Sequence, residues 1–169
     1  MTKATRPSII SSFLAALVTV VFCNPASAQD IVGPAQVQIS GDYTVEDPLI
    51  LTEPDPFRGL EAFVNRKLGN CVACHSNFDV AAMQFLGDIG PNLDWIGDRL
   101  TEGEIRAILI DPKAVFGDQT IMPAFYTARE GFRTLESFQG KTILTAQQIE
   151  DVVAYLASLS REASFDGVD

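Results

Sequence analysis

The residues best placed to do chemistry are Cys71-Val72-Ala73-Cys74-His75. Two thiols two residues apart, followed at once by an imidazole, form the attachment pattern for a c-type haem. Each thiol can add to one vinyl group of the same ring, and the adjacent imidazole then reaches the iron from one face. His75 is the single histidine of the chain, so no other competes for the proximal position. A zinc site would need a further N or S ligand from a second cluster, and no other Cys or His would survive in the mature chain. A disulfide or redox dithiol would leave His75 and the later motifs unexplained.

One imidazole leaves the other face of such an iron open. A thioether there favours reduced iron and raises the potential, as suits an electron carrier. Met122 and Met83 are the candidates. Met122 lies 47 residues after His75, enough chain to pass round the ring, and Pro123 pushes it toward an extended backbone. Met83 lies eight residues after His75 in a short apolar segment, where methionine more often fills a gap in a core. The preferred reading is Met122, with Met83 or an open site as the alternatives. His/Met ligation would saturate the iron and restrict the chemistry to electron transfer.

The elements that must position these groups come next. A basic start (Lys3, Arg6), an apolar run from Ile9 to Phe22 and Ala26-Ser27-Ala28 predict a secretory signal peptide over 1–28. The run is too short and too broken by Ser11, Ser12 and Thr19 to span a bilayer comfortably. Without paired arginines, the general secretion route is expected. Cleavage after Ala28 would leave 141 of 169 residues, one domain's worth, and remove Cys23, leaving only the two haem cysteines. No pair would then remain for a structural disulfide in an oxidising compartment. Residues 1–28 hold two of the twelve basic residues and no acid, so ten cations face twenty-two acids and the mature charge is −12. Such acidity argues against nucleic acid or an anionic membrane as partner; it suits a soluble periplasmic protein or steering toward a basic one.

Residues 29–54 read as an extended arm, with Pro34, Pro48 and Pro54 and an apolar Pro48–Leu51 run that must lie on its own domain or on another subunit. A first helix is predicted from Asp55 as N-cap and Pro56, with Phe57, Leu60, Val64 and Leu68 on one face and Gly69 as its stop. Gly59 and Phe63 share a face, and the glycine would admit a crossing helix. Thr101 with Glu104, and Thr145 with Gln148, are capping boxes opening two more helices. Their apolar stripes are Ile105, Ile108, Leu109, and Ile149, Val152, Val153, Leu156; Asp111-Pro112 ends the former. Ala114 to Leu144 has no clean period, and long irregular stretches of this kind in compact domains are usually functional. Residues 161–169 read as a frayed tail. With helices bracketing the haem motif and no strong strand signal, the fold class is all-α.

From Gly59 and Phe63 through the haem motif to the terminal helix, the chain resembles class I cytochromes c. That resemblance implies a crossing of the first and last helices with Gly59 and Phe63 near Tyr155 or Leu156. It also implies that Pro91 packs beside His75, its carbonyl fixing the imidazole tautomer. Gly69–His75, Gly90-Pro91-Asn92-Leu93, Thr120-Ile121-Met122-Pro123 and Gln139–Gln147 running on into Asp151–Leu156 are more closely similar to the SoxX family, over roughly 55–159. SoxX subunits carry one haem c with His/Met ligation and pair with SoxA in the periplasm. The complex oxidatively couples thiosulfate to a cysteine of a SoxYZ-type sulfur carrier, an L-cysteine S-thiosulfotransferase type of activity. The resemblance therefore implies a relay of electrons from the haem of SoxA to a soluble cytochrome c, with the reacting centre on the partner and no catalytic residue in this chain. A free-standing periplasmic shuttle of the same fold is the alternative. Trp95 through its indole N–H, or Arg99, would be within the chemistry of a haem propionate, but a core role for Trp95 and a solvated one for Arg99 are the plainer readings.

Overall fold

The computed structural model describes residue 1, residues 32–128 and residues 134–161. The expected signal peptide, the start of the arm and almost all of the expected tail lie outside these. Among the described residues four α-helices carry the fold: α1 (Pro56–Val64), α2 (Glu102–Ile110), α3 (Pro112–Phe116) and α4 (Ala146–Ser158). Short 3-10 turns at Cys71–Ala73, Phe78–Val80, Ile96–Asp98 and Glu136–Phe138 interrupt the loops, and no strand occurs among the described residues.

Local chemistry sets each helix start. The Asp55 carboxylate accepts from the N–H groups of Phe57 (2.8 Å) and Arg58 (3.4 Å), with Pro56 beginning α1. The Thr101 hydroxyl accepts from Glu104 N–H, and Glu104 accepts in return from Thr101 N–H at 2.8 Å. Thr145 and Gln148 make the same reciprocal pair at the head of α4. Asp111-Pro112 ends α2 as expected but also opens α3, a helix the sequence reading left within irregular chain. The Asp111 side chain caps it by accepting from Lys113 N–H.

The first helix differs from expectation in length and in face. It stops at Val64, not near Leu68. Asn65 leaves the helical region, and its side chain accepts from Lys67 N–H at 2.9 Å, a local turn that competes with another helical turn. Gly69 N–H then folds back onto the carbonyl of Ala62. The face buried deepest is Gly59, Ala62 and Phe63, whereas Phe57 is 83% exposed and Leu60 and Val64 only flank the core. The reason is the crossing with α4. A Cβ on Gly59 would stand 2.0 Å from the carbonyl oxygen of Asp151 and 2.7 Å from Tyr155 Cβ, so only glycine permits this approach. Beside it, the Phe63 and Tyr155 rings meet edge to face with centroids 5.4 Å apart.

Helix α4 also packs on α2, and its buried residues include Ile149, Val152, Val153 and Leu156. On α2 the buried set is Ile105, Arg106, Ala107, Leu109 and Ile110, with Ile108 only half-buried. Arg106 is the surprise, a guanidinium in the apolar stripe. It donates from Nε and Nη2 to the buried carboxylate of Glu150 at 2.9 Å, and from Nη1 to the carbonyl of Val45 at 2.7 Å. Glu150 also accepts from Leu49 N–H at 2.8 Å. This network fastens the arm: Val45, Leu49 and Ile50 are buried in the chain's own core, and Leu51 points out at 78% exposure. Of the two places open to the Pro48–Leu51 run, its own domain is the one it takes.

The irregular stretch is likewise pinned to the core. Phe125 N–H donates to Leu109 O, and the N–H groups of Ile143 and Leu144 both donate to Phe125 O. Phe125, Tyr126 and Leu144 are buried.

Candidate haem site

The Cys71–His75 peptide is held as one tight turn. Asn70 enters it in the left-handed region (φ 48°), and the N–H groups of Cys74 and His75 both bond to Cys71 O, at 3.0 and 2.9 Å. Neither cysteine is in a disulfide. Burial pushes the Cys71 thiol up to about 12, and the proximity of Cys74 adds to this. Cys71 therefore persists as a neutral thiol at ordinary pH.

A second loop closes over this turn. Gly87 N–H donates to Val72 O (2.9 Å), Gly90 N–H to Cys74 O (2.8 Å) and Leu93 N–H to Ser76 O (2.8 Å). The closure brings Pro91 O to 2.8 Å from His75 Nδ1. A carbonyl only accepts, so Nδ1 carries the proton and Nε2 presents its lone pair. Gly90 is required at this point. A Cβ there would stand 2.4 Å from His75 Cε1 and 2.7 Å from Nε2. The imidazole is thus fixed in tautomer by Pro91 and in position by the bare backbone of Gly90.

Met122 lines a cavity of about 860 Å³ that also takes in Leu68, Ile121 and Ile143. This is within the range of cofactor and ligand pockets. The thiols and His75 are not part of that lining, although Leu68 stands three residues before Cys71. Met83 is 44% exposed, outside the cavity lining and outside the core. The core-filling use considered for it does not occur. Lysines and arginines (Arg66, Lys67, Lys113, Lys141) outnumber acids (Asp118) in the lining, an inversion of the charge of the chain as a whole.

Trp95 takes a left-handed backbone (φ 58°) and lies half-buried against Phe78, with ring centroids 5.0 Å apart; it is not a core residue. Arg99 is not free in solvent. Its Nη2 donates to the carbonyls of Asp94 (3.1 Å) and Asn92 (3.3 Å) and so braces the loop that carries Pro91.

This donor set suits a covalently attached iron porphyrin. Two thiols outside any disulfide precede an imidazole whose Nδ1 is already committed, and a thioether lines a cavity that Leu68, near them in sequence, also lines. Among the described residues no cluster of three or more His, Cys, Asp or Glu forms a competing metal site.

The cytochrome c family model matches residues 58–160. Among solved structures, a chain of SoxXA from P. pantotrophus is similar at 39% identity and a TM-score of 0.69, over 76% of this chain and 98% of that one. Comparison with curated protein sequences gave no match. The chain belongs to the cytochrome c family, whose members carry haem c covalently. Within that family it is a SoxX-type electron-transfer cytochrome, all-α as the sequence implied. Among the described residues no helix is long and apolar enough to cross a membrane.

Proposed function

We propose that this chain is the electron-transfer subunit of a periplasmic SoxXA-type complex that oxidatively couples thiosulfate to a cysteine of a sulfur-carrier protein. The observation that carries this reading is the match to nearly the whole of a SoxXA chain at 39% identity. In this reading a SoxA-like subunit is the partner, the reacting centre belongs to it, and a soluble cytochrome c takes the electrons away.

Bound haem c supplies a one-electron couple at its iron. Cys71 and Cys74 would hold the ring through thioethers, which would use both thiols of the mature chain. His75 would offer Nε2 to the iron, while Pro91 keeps the proton on Nδ1. Met122 would offer its thioether from the cavity wall, where Leu68, Ile121 and Ile143 supply apolar lining. Forming one sulfur–sulfur bond between thiosulfate and a cysteine thiolate releases two electrons, so this chain is reduced and reoxidised twice per coupling.

The Pro48–Leu51 run gives no support to the complex over a lone shuttle, because Leu49 and Ile50 are satisfied within the domain. The deciding experiment is gentle purification from the native periplasm with intact mass of every co-eluting chain, followed by addition of thiosulfate and the carrier. Co-elution with a larger haem-bearing chain at one to one, with carrier-dependent haem reduction, is expected. A lone chain reduced only by other cytochromes would establish the free-standing shuttle in its place.

A further inference from the structure

The thioether side of the site depends on a loop with no helix of its own, and one side chain spans that loop. Lys113 lies in α3, and its Nζ donates to two carbonyls further on, Asp118 O at 2.9 Å and Thr120 O at 2.7 Å. An ammonium is suited to this, because it offers three donors from one point. The turn between is closed by Gly117 N–H on Lys113 O and by Thr120 N–H on Gly117 O. Thr120 then holds the next step, its Oγ1 accepting from Met122 N–H at 3.3 Å. A continuous path of hydrogen bonds therefore runs from Lys113 through Thr120 to the backbone of Met122.

Helix α3 is itself anchored. Pro112 is buried, Asp111 caps it, and Phe125 N–H ties the far side of the loop to Leu109 O in α2. The segment 118–122 between these anchors has exposed Ile121 (75%), so packing alone does little to fix it.

We propose that Lys113 is a positioning residue for Met122: its ammonium clamps the Asp118–Thr120 carbonyls and holds the thioether at the distance and angle an axial ligand needs. This rests on the reading of Met122 as the distal ligand. Removing the clamp weakens the iron–sulfur bond without touching either the thioether or the haem attachment. A hydrogen bond to a charged group is worth about one to two powers of ten in an equilibrium. The bond to Asp118 O is exposed, where water replaces it, so loss of the clamp is expected to tighten binding of an external ligand at the iron by the part-buried Thr120 bond alone, on the order of tenfold to a hundredfold.

The test uses the holoprotein carrying K113M, K113R or T120V, with M122A as reference. Three quantities are read: the red charge-transfer band of a ferric iron–thioether bond, the affinity for added imidazole, and the reduction potential. Wild type is expected to show the band and to resist imidazole. K113M and T120V should each weaken the band and bind imidazole more tightly, and K113R, which keeps a multidentate cation, should recover much of the wild-type behaviour. T120V tests the same path should K113M fail to accumulate. If both K113M and T120V keep the band and the imidazole resistance of wild type, the clamp is refuted, even where the potential shifts through loss of a charge. If wild type lacks the band, or M122A retains it, the ligand reading itself is what has failed.

Discussion

Replacing Glu150 by alanine should do far more damage than removing both members of its ion pair. Glu150 has a 1%-exposed side chain and Arg106 a 4%-exposed one. Alanine at 150 strips Arg106 of its acceptors at 2.9 Å and leaves it the carbonyls of Val45 and Glu46, with Glu102 at 3.9 Å and largely in solvent. Leu49 N–H loses its acceptor as well. Breaking a buried pair from one side costs about 3–5 kcal/mol, because the surviving charge is uncompensated. Against a whole-domain stability of about 5–15 kcal/mol that is a large fraction. The double variant R106M/E150L removes both charges and fills the space with apolar atoms, a change that is often neutral. Leu49 N–H is stranded in both variants, and the double variant's own residual cost is the Val45 carbonyl that loses Arg106 Nη1, about 1–3 kcal/mol. Denaturant unfolding of the wild-type, R106M, E150L and R106M/E150L holoproteins, followed by far-UV circular dichroism, would supply the double-mutant cycle, and limited proteolysis would report release of the arm over 32–54. E150Q keeps the shape and serves where E150A does not accumulate. A double variant as unstable as the two singles added together, or an E150A loss under about 1 kcal/mol, would refute the argument that the pair acts as a buried unit.

Three other outcomes follow from the geometry. Burial raises the Asp151 carboxyl, but the hydrogen bonds from Arg58, Asp55 N–H and Gln147 outweigh it and leave its pKa below the ordinary carboxylate value. That stability is present above the unfolded pKa near 4 and is lost as pH falls through the lower folded value, so D151N should flatten the acid limb of a stability–pH curve and cost most near neutrality. G90A would drive a methyl into the His75 ring, 2.4 Å from Cε1, and should shift the haem potential and Soret band while G90S does no better. Y155F keeps the ring contact with Phe63 but removes the hydroxyl that exchanges hydrogen bonds with buried Asn77, and calorimetry should find a loss of about 1 kcal/mol.

The parts of this fold legible in the sequence were those written in local chemistry. Two capping boxes, an Asp-Pro start and the Gly59/Phe63 pair depend on residues within four positions of one another, and each marks its helix correctly. The face of α1 was misread for the opposite reason. Phe57, Leu60, Val64 and Leu68 look like a stripe by period, yet the side that is buried is chosen by where α4 can approach, and that is Gly59. Lys113 was invisible because its partners are carbonyls, which every residue has and no pattern marks. Arg106 and Glu150 did leave a signal, a charge of each sign inside an otherwise apolar stripe, though nothing in one sequence says that they meet.

The two sides of the site are built on different physical terms. His75 sits in a peptide closed by main-chain bonds: Gly90 and Pro91 reach it through a glycine without a side chain and a carbonyl without a choice of partner. Few side-chain substitutions nearby can disturb that arrangement. Met122 sits on an exposed loop held by one lysine and one threonine, in a cavity where cations outnumber acids. If His75 and Met122 are the axial ligands as proposed, a chain organised this way would keep its proximal ligand constant and leave its distal ligand adjustable by single residues. The axial ligand is one of the terms that set a haem potential, so on that reading the loop from Lys113 to Met122 is a part of this molecule through which its potential would be tuned without rebuilding the haem attachment.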